Sequence, residues 1–304
     1  SYMTAAMLDE GAGDLDAKTF QERLERRAIS LSFSSDRDAF RGSVRVLSEH
    51  RDEAFELLRL ALTSPRFDQE AIDRIRASIL AANKRSLTNP DEVAGLHWFA
   101  QAFPNHPYGR PVKGDEKSIG GIERAMLFEY AKKNLARSNL KIAVVGSVDS
   151  AELLRLIDHA FAKLPAQADL AEIPEVAPQS LGRREIVDLN IPQTTITFGG
   201  LGLKRKDPDF IPAFVLNHIL GGGAFSSRLY REVREKRGLA YSVYSYLATL
   251  NRSGLFMGGT STRNDRAAEA LKIIEQEIVR IAAEGPIAEE LAQAKSYLTG
   301  SYLL

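Results

Sequence analysis

The chain repeats a short pattern 210 positions apart. Arg26-Arg27-Ala28-Ile29-Ser30 matches Lys236-Arg237-Gly238-Leu239-Ala240, and a glycine-containing turn precedes each copy. Each copy continues with a strand, a helix with one apolar face and a further helix, opened by Phe67-Asp-Gln-Glu70 or by Ile287-Ala-Glu-Glu290. Because self-similarity of this kind marks one structural unit used twice, the sequence predicts two homologous domains.

The predicted elements favour an α+β fold, with each domain packing an antiparallel-rich sheet against helices. Alternating or continuous apolar residues predict strands over 28–34, 40–46, 140–148, 184–189, 194–200, 240–247 and 254–260. Prolines and small residues predict a linker over 165–183. The predicted domains therefore span 1–164 and 184–304. Both are expected to be truncated, because the chain opens and stops within predicted helices.

The charge and cysteine content exclude several classes of protein. Forty Lys and Arg residues balance 40 Asp and Glu residues, so no basic excess points to nucleic acid or anionic lipid as the partner. The chain has no cysteine, which removes disulfides, thiolate metal sites and cysteine nucleophiles. No apolar run approaches the ~18 residues of a membrane span.

Common catalytic motifs are missing from the sequence. No two of the five histidines lie three or four residues apart, so no helix offers a paired-imidazole metal site. There is no G-x-S-x-G sequence. The Gly221-Gly222-Gly223 turn is not followed by the Lys-Ser/Thr of a phosphate-binding loop. The charged run 231–237 carries both signs and predicts a solvated helix face.

One polar pair could do chemistry. Arg234 lies near the end of a predicted helix and Tyr241 at the start of the following strand, with Gly238 relieving the turn between them. A guanidinium and a phenol presented together could both donate to one carbonyl oxygen or oxyanion. From the residues alone, a solvated arginine and a strand-edge tyrosine are the alternative.

Several segments together resemble the pitrilysin/insulinase-type (inverzincin) metallopeptidases, and among them the processing-peptidase type and its bacterial relatives. They are Leu8-Asp-Glu-Gly-Ala-Gly13, Pro65-Arg-Phe67, Asn105-His-Pro-Tyr-Gly-Arg-Pro111, Leu220-Gly-Gly-Gly223 and 234–241, so the resemblance covers essentially the whole chain. In that family an arginine seven residues before a tyrosine binds substrate and stabilises the tetrahedral intermediate, which implies these roles for Arg234 and Tyr241. The resemblance also implies a substrate-binding loop at Gly221, Gly222 and Gly223.

Active members of the family carry H-x-x-E-H and a distant glutamate that binds zinc with the two histidines. Aligned through Met7-Leu8 and Gly11, this chain has Tyr2 and Ala6 at the histidine positions, Ala5 at the general base and Ala82 at the distant ligand. Methyl groups can neither hold zinc nor accept a proton. The resemblance therefore implies no cofactor in this chain and zinc in a partner subunit.

These implications define the predicted function: a non-catalytic, substrate-binding subunit of a heterodimeric zinc metalloendopeptidase that acts on extended peptides. Such a chain is expected to be inactive alone and active with a zinc-bearing subunit of the same family, although it could form a homodimer when isolated. The alternative from another class is a proteolytically silent structural subunit, like the core subunits of respiratory complexes. A stand-alone zinc protease is a third reading. The compartment is left unknown by the sequence. Exported bacterial relatives weakly favour the periplasm, and the cytoplasm is the alternative.

Overall fold

The computed structural model describes residues 1–302, and these form an α+β fold with two small antiparallel sheets. They group into two compact units, which are described separately. The first contains residues 1–85 and 111–172, and the second contains residues 86–110 and the chain from 173 onward. Residues 86–110 thus group with the second unit, whereas the sequence assigns them to the first domain. That the two domains are homologous stays a prediction.

The first unit surrounds a hairpin with helices. Strand β1 (Ser30–Ser35) pairs antiparallel with β2 (Phe40–Arg45), in register from Ser30 opposite Arg45 to Ser35 opposite Phe40. The helices of this unit are α1 (Tyr2–Ala5), α2 (Ala17–Arg26), α3 (Arg51–Thr63), α4 (Gln69–Ser86), α6 (Glu116–Gly120), α7 (Arg124–Asn134) and α8 (Ser150–Phe161). Both strands lie close to their predicted ranges, 28–34 and 40–46.

Two apolar clusters form the core of the first unit. One joins α2, β1 and α3 through Phe20, Leu24, Leu31 and Leu57, with Ala160 of α8 packed in. The other joins α1 and the following turn to α4 and α7, with Met3 and Ile72 among its members. The spacing of these apolar residues on each helix places them on one face, so burial of that face fixes how the helices pack.

The second unit is built on a three-stranded sheet in the order β3-β5-β4. Its strands are β3 (Gln193–Leu201), β4 (Ala240–Leu250) and β5 (Ser253–Arg263), all antiparallel. Helix α5 (Pro90–Ala102) begins after Asn89, as the Asn-Pro sequence predicts. The Asn89 side chain accepts hydrogen bonds from the Asp91 and Glu92 amides. Helices α9 (Phe210–Asn217), α10 (Ala267–Glu284) and α11 (Ala288–Ser301) complete the unit.

The sheet of the second unit has apolar residues on both faces. Leu255 and Met257 belong to a cluster with Phe103 and Tyr108, and Trp98 of α5 packs against it. On the other side, Val243 belongs to a larger cluster built from α10, α11 and the segment 219–239. Helices on both faces explain why the central strand β5 is buried along nearly its whole length.

The loop after α5 is held by a histidine. His106 Nδ1 accepts from the Tyr108 amide at 3.2 Å, and the other ring nitrogen lies 3.1 Å from the Pro174 carbonyl. The first bond requires an unprotonated Nδ1, so Nε2 carries the proton and donates to Pro174. The Tyr108 hydroxyl in turn accepts from the Arg252 amide at 2.9 Å. This motif of the resemblance therefore ties the loop to the β4–β5 hairpin.

Two predicted strands are wrong. The apolar run 140–148 and the segment 184–189 lie in no hydrogen-bonded strand of the described chain. Most of their apolar side chains are exposed, and Val145 is fully so. A strand needs a neighbour to satisfy its backbone, and within residues 1–302 the sheets contain only β1 to β5. In the same part of the chain, no helix is both long and apolar enough to cross a bilayer.

Candidate functional site

The chain reaches the candidate site through two widened helical turns. After α9, His218–Gly222 forms a π-helical turn that closes where the Gly223 amide donates to the His218 carbonyl at 2.8 Å. A second π-helical turn covers Tyr230–Glu235, and there the Lys236 amide donates to the Arg231 carbonyl at 2.9 Å. Each turn holds one residue more than an α-helix would, and such insertions are frequent at functional sites.

The second widened turn carries Arg234, and the structure brings it together with Tyr241. The guanidinium carbon of Arg234 lies over the Tyr241 ring at 4.4 Å and over the Tyr230 ring at 4.9 Å from the centroids. Stacking uses the flat face of a guanidinium and leaves the N–H donors at its edge. Within the described chain, no hydrogen bond or ion pair takes up those donors.

Tyr241 is turned outward by a β-bulge. Ala240 lies opposite Thr262 and Val243 opposite Thr260, so β4 advances three residues while β5 advances two. The extra residue breaks the alternation of the strand and re-aims a side chain. The Tyr241 side chain is 81% exposed although both Ala240 and Val243 are buried.

Two threonines of β5 hold the bulge. The Thr260 hydroxyl donates to the Ser242 carbonyl at 2.7 Å, and the Thr262 hydroxyl donates to the Leu239 carbonyl. Both threonines are buried, so these bonds satisfy carbonyls that the irregular strand would otherwise leave unpaired. Sequence reasoning missed these threonines, and it also missed Tyr230, which its position four residues before Arg234 on a helix could have revealed.

The charged residues around the site pair inside the protein. Arg228 is 5% exposed and donates to both oxygens of Glu290, at 3.0 and 2.6 Å. Arg231 adds a bond to the same carboxylate at 2.7 Å. These hydrogen bonds from Arg228 lower the pKa of Glu290 to about 2. The predicted solvated face is wrong in part, because Glu232 is also buried and binds Lys236 and Arg237.

The glycine turn is tightly packed. A Cβ at Gly221 would clash with Ser245, one at Gly222 would lie 2.8 Å from the Asn217 amide nitrogen, and one at Gly223 would lie 2.7 Å from the His218 carbonyl. Real Cβ atoms do not approach so closely, so packing alone excludes larger residues. Gly222 nevertheless remains exposed at the surface. Substrate binding by this turn stays a prediction.

The zinc positions implied by the resemblance hold no ligands. Tyr2 and Ala5 lie on α1, Ala6 directly follows it, and Ala82 lies on α4. Ala5 is buried, and its methyl group has no atom that could bind a metal. Across residues 1–302, no three His, Cys, Asp or Glu side chains are grouped so that they could hold a metal ion. The residues at these positions do not fit zinc.

Comparison with known proteins identifies the class. Residues 121–298, more than half of the chain, match the family model described as "Peptidase M16 inactive domain". The chain therefore belongs to the peptidase M16 family and carries its inactive domain. The metallopeptidase resemblance of the sequence is confirmed.

Curated relatives carry both protease and non-protease names. An uncharacterized zinc protease of Streptomyces coelicolor is 31% identical over 299 residues, covering 92% of this chain and 65% of that protein. An uncharacterized zinc protease of Rickettsia felis is 28% identical over 260 residues, covering 86% and 62%. The non-peptidase homolog YmxG of Helicobacter pylori is 27% identical over 298 residues, covering 98% and 68%. The chain thus spans less than two thirds of the first two relatives.

Solved structures share the fold. A peptidase M16 inactive domain from Pseudomonas fluorescens superposes with a TM-score of 0.92 at 32% identity, covering 99% of this chain and 73% of that one. A protease from Helicobacter pylori superposes with a TM-score of 0.89 at 20% identity, covering 99% and 74%. The second likeness is one of fold alone.

Proposed function

We propose that this chain is the non-catalytic, substrate-binding subunit of a heterodimeric zinc metalloendopeptidase. One observation carries the proposal: Arg234 is stacked on Tyr230 and Tyr241 with its N–H donors unused within the described chain, and the Tyr241 phenol faces outward. An arginine kept only for stability would be expected to pair with a carboxylate, as Arg228 does with Glu290. Donors held rigidly and left unpaired suit a ligand.

The proposed role of the pair is to bind the oxygen of a peptide carbonyl. Arg234 donates N–H groups and Tyr241 donates its O–H, and the donors are fixed before substrate arrives because two rings and a bulge position them. Donors fixed in advance stabilise an oxyanion better than mobile ones. The partner subunit supplies zinc and the general base, since the corresponding positions here are Tyr2, Ala5, Ala6 and Ala82.

The test is to purify the full-length protein from its native source and to assay peptide cleavage with and without the co-purifying M16 subunit that bears H-x-x-E-H. We expect no cleavage by this chain alone and cleavage by the pair. In the pair, Arg234→Ala and Tyr241→Phe should each lower kcat/KM by ~10²–10³-fold, the usual effect of losing one oxyanion donor.

Glu235→Gln is the matched control, because Glu235 is exposed in the same widened turn. It should leave kcat/KM unchanged. Full turnover by both the Arg234 and the Tyr241 variants would contradict the proposed role. Co-purification with a large assembly that lacks any zinc-bearing M16 subunit would instead support the alternative, a proteolytically silent structural subunit.

A further inference from the structure

A cleft of about 400 Å³ lies beside the glycine turn, between α9, the turn His218–Gly222 and strand β4. This volume is within the range of small-molecule and side-chain pockets. The exposed Gly222 and the aromatic Tyr246 lie at its border. No part of the Arg234 and Tyr241 pair lines it, so it is a separate feature of the second unit.

The buried polar side chains of the cleft hydrogen-bond each other. The Ser245 hydroxyl donates to the Asn217 side-chain oxygen at 2.8 Å, and the Asn217 amide donates back to the Ser245 carbonyl at 3.2 Å. Both side chains are buried and both are satisfied by this exchange. Selectivity for a ligand must therefore come from the other residues that line the cleft.

One wall is the free edge of the sheet. Strand β4 pairs with β5 on one side only, and within residues 1–302 its other side has no neighbouring strand. Leu247 and Thr249 of this strand line the cleft. Such an edge can hydrogen-bond an extended peptide. The Asn217 side chain occupies the edge at Ser245, so an added strand would lie beyond that residue.

The opposite wall is aromatic. Phe210 and Phe214 of α9 stack with ring centroids 6.2 Å apart and 22° between their planes. Phe210 is buried, whereas Phe214 is 41% exposed at the cleft. Covering an exposed ring with another apolar side chain removes apolar surface from water and is therefore favourable.

The cleft also has an arginine at its border. Among the described residues that line the cleft, Arg205 alone carries a formal charge, and its guanidinium carbon lies 4.5 Å from the centroid of the Phe210 ring. Within the described part of the chain, no carboxylate pairs with it. His218 also lines the cleft, and burial lowers its pKa from the usual value of a histidine, which favours the neutral imidazole. The cleft therefore favours a negative group next to an apolar one.

We infer that this cleft binds an extended peptide through an aromatic or large aliphatic side chain with a carboxylate beside it. The apolar side chain lies on Phe214, the carboxylate pairs with Arg205, and the peptide backbone pairs with the edge of β4. The inference rests on the proposed function, in that it names the class of peptide that the subunit would select. The cleft can be tested without the catalytic partner.

The experiment measures fluorescence anisotropy of labelled ten-residue peptides on the full-length protein. The peptides carry Phe-Glu, Phe-Lys or Ser-Glu at the centre of a Ser/Thr/Gly background. Phe-Glu should bind most tightly. Phe214→Ala should weaken it roughly tenfold, as loss of a buried ring contact does. Arg205→Glu should weaken Phe-Glu about fivefold, the scale of an exposed ion pair, and should tighten Phe-Lys.

Two matched controls keep these effects interpretable. Ile211→Ala removes an exposed apolar side chain from the same helix outside the cleft, and Lys206→Glu reverses the charge next to Arg205 outside the cleft. Both should bind Phe-Glu like the unchanged protein. Equal affinity for all three peptides, or binding insensitive to Arg205→Glu, would overturn the inference. Because no cleavage is measured, it can fail while the Arg234 and Tyr241 effects on kcat/KM remain, and the reverse also holds.

Discussion

The two copies of the repeated turn share one left-handed residue, but different kinds of side chain surround it. Ala28 in the first copy has φ 49° and Gly238 in the second has φ 59°, so both segments turn through a residue in the left-handed region. Strand β1 then begins at Ser30 and β4 at Ala240, again 210 positions apart. The order of helix, turn, hairpin and two further helices also recurs, and the duplication itself stays a prediction.

The side chains around the turn differ. Phe20, Leu24 and Leu31 surround the first turn, and all three are buried in one cluster. The residues 210 positions later are Tyr230, Arg234 and Tyr241, and these form the stacked group of the candidate site. A simple exchange of core leucines for polar residues would leave a hole in the core, yet the second copy is well packed.

The hydrogen bonds explain how the second copy keeps its core. The Ile29 amide donates to the Leu24 carbonyl, five residues back, whereas the Leu239 amide donates to the Val233 carbonyl, six residues back. The fully buried Val233 therefore takes the hydrogen-bonding position of Leu24, and Arg234 lies in the extra space of the π-helical turn. The bulge has the same effect in the strand, where Val243 is buried and Tyr241 turns outward. In both elements the irregular backbone presents a surface side chain while a buried apolar side chain lies close by.

The largest effect should come from forcing the first copy to imitate the second. Leu24→Arg places a charge in a closed apolar core, and the first copy lacks the widened turn that carries Arg234. The variant should lower the free energy of unfolding by more than ~4 kcal/mol. Arg234→Leu should change it by less than ~1 kcal/mol. Urea denaturation followed by circular dichroism measures both. Comparable losses of unfolding free energy in the two variants would mean that Arg234 contributes to the core as much as Leu24 does.

The next effect tests a charge pair that only the second copy contains. Glu290→Gln leaves the buried Arg228 without its carboxylate and should cost about 3–5 kcal/mol. Glu70, the matching residue at the start of the corresponding helix, is exposed, so Glu70→Gln should lie within about 0.5 kcal/mol of the unchanged protein. Thermal unfolding compares the two, and an equal shift in both would refute the asymmetry.

Acid should weaken both units through one carboxylate in each. The pKa of Glu290 and that of Glu56 are each lowered to about 2, by hydrogen bonds from Arg228 and from Arg59. Because these values lie below the unfolded value of 4.5, unfolding takes up protons. The stabilisation is complete above pH 4.5 and is lost as pH falls towards 2, and for Glu290 it amounts to about 3 kcal/mol. Denaturant midpoints at pH 6, 4 and 2.5 should fall in that order, and less steeply in Glu290→Gln.

The smallest effect concerns the turn that the copies share. Gly238→Ala introduces a Cβ into open space, so only the left-handed backbone opposes it, and the cost should be about 1 kcal/mol. Ala28→Gly should relieve the same strain and stabilise by about 0.5–1 kcal/mol. Opposite shifts of the unfolding midpoint are expected. Shifts of the same sign would show that the two turns are not equivalent.

Periodicity and capping predicted most elements because they depend on neighbouring residues. Alternation in β1 and the Asn89-Pro90 start of α5 are examples. The run 140–148 misled because an apolar segment becomes a strand only beside a partner, and local pattern carries no information about partners. The π-helical turn and the bulge were missed for a related reason, since one extra residue barely alters a hydrophobic pattern.

The candidate site was predictable in part. The spacing of Arg234 and Tyr241 identified the pair, and the structure brings them into contact. Arg205 and Phe214 gave no signal, because they meet at the cleft only once α9 packs against β4. The paired charges of Arg228 and Glu290 lie 62 residues apart, and nothing local links them.

The widened turn at Tyr230–Glu235 has an evolutionary consequence. A substitution at a core position trades folding stability for any new activity. An extra residue in a helical turn avoids that trade, because the buried residues keep their packing while the added side chain is free to vary. The second copy can in this way vary its surface side chains while its interior stays packed.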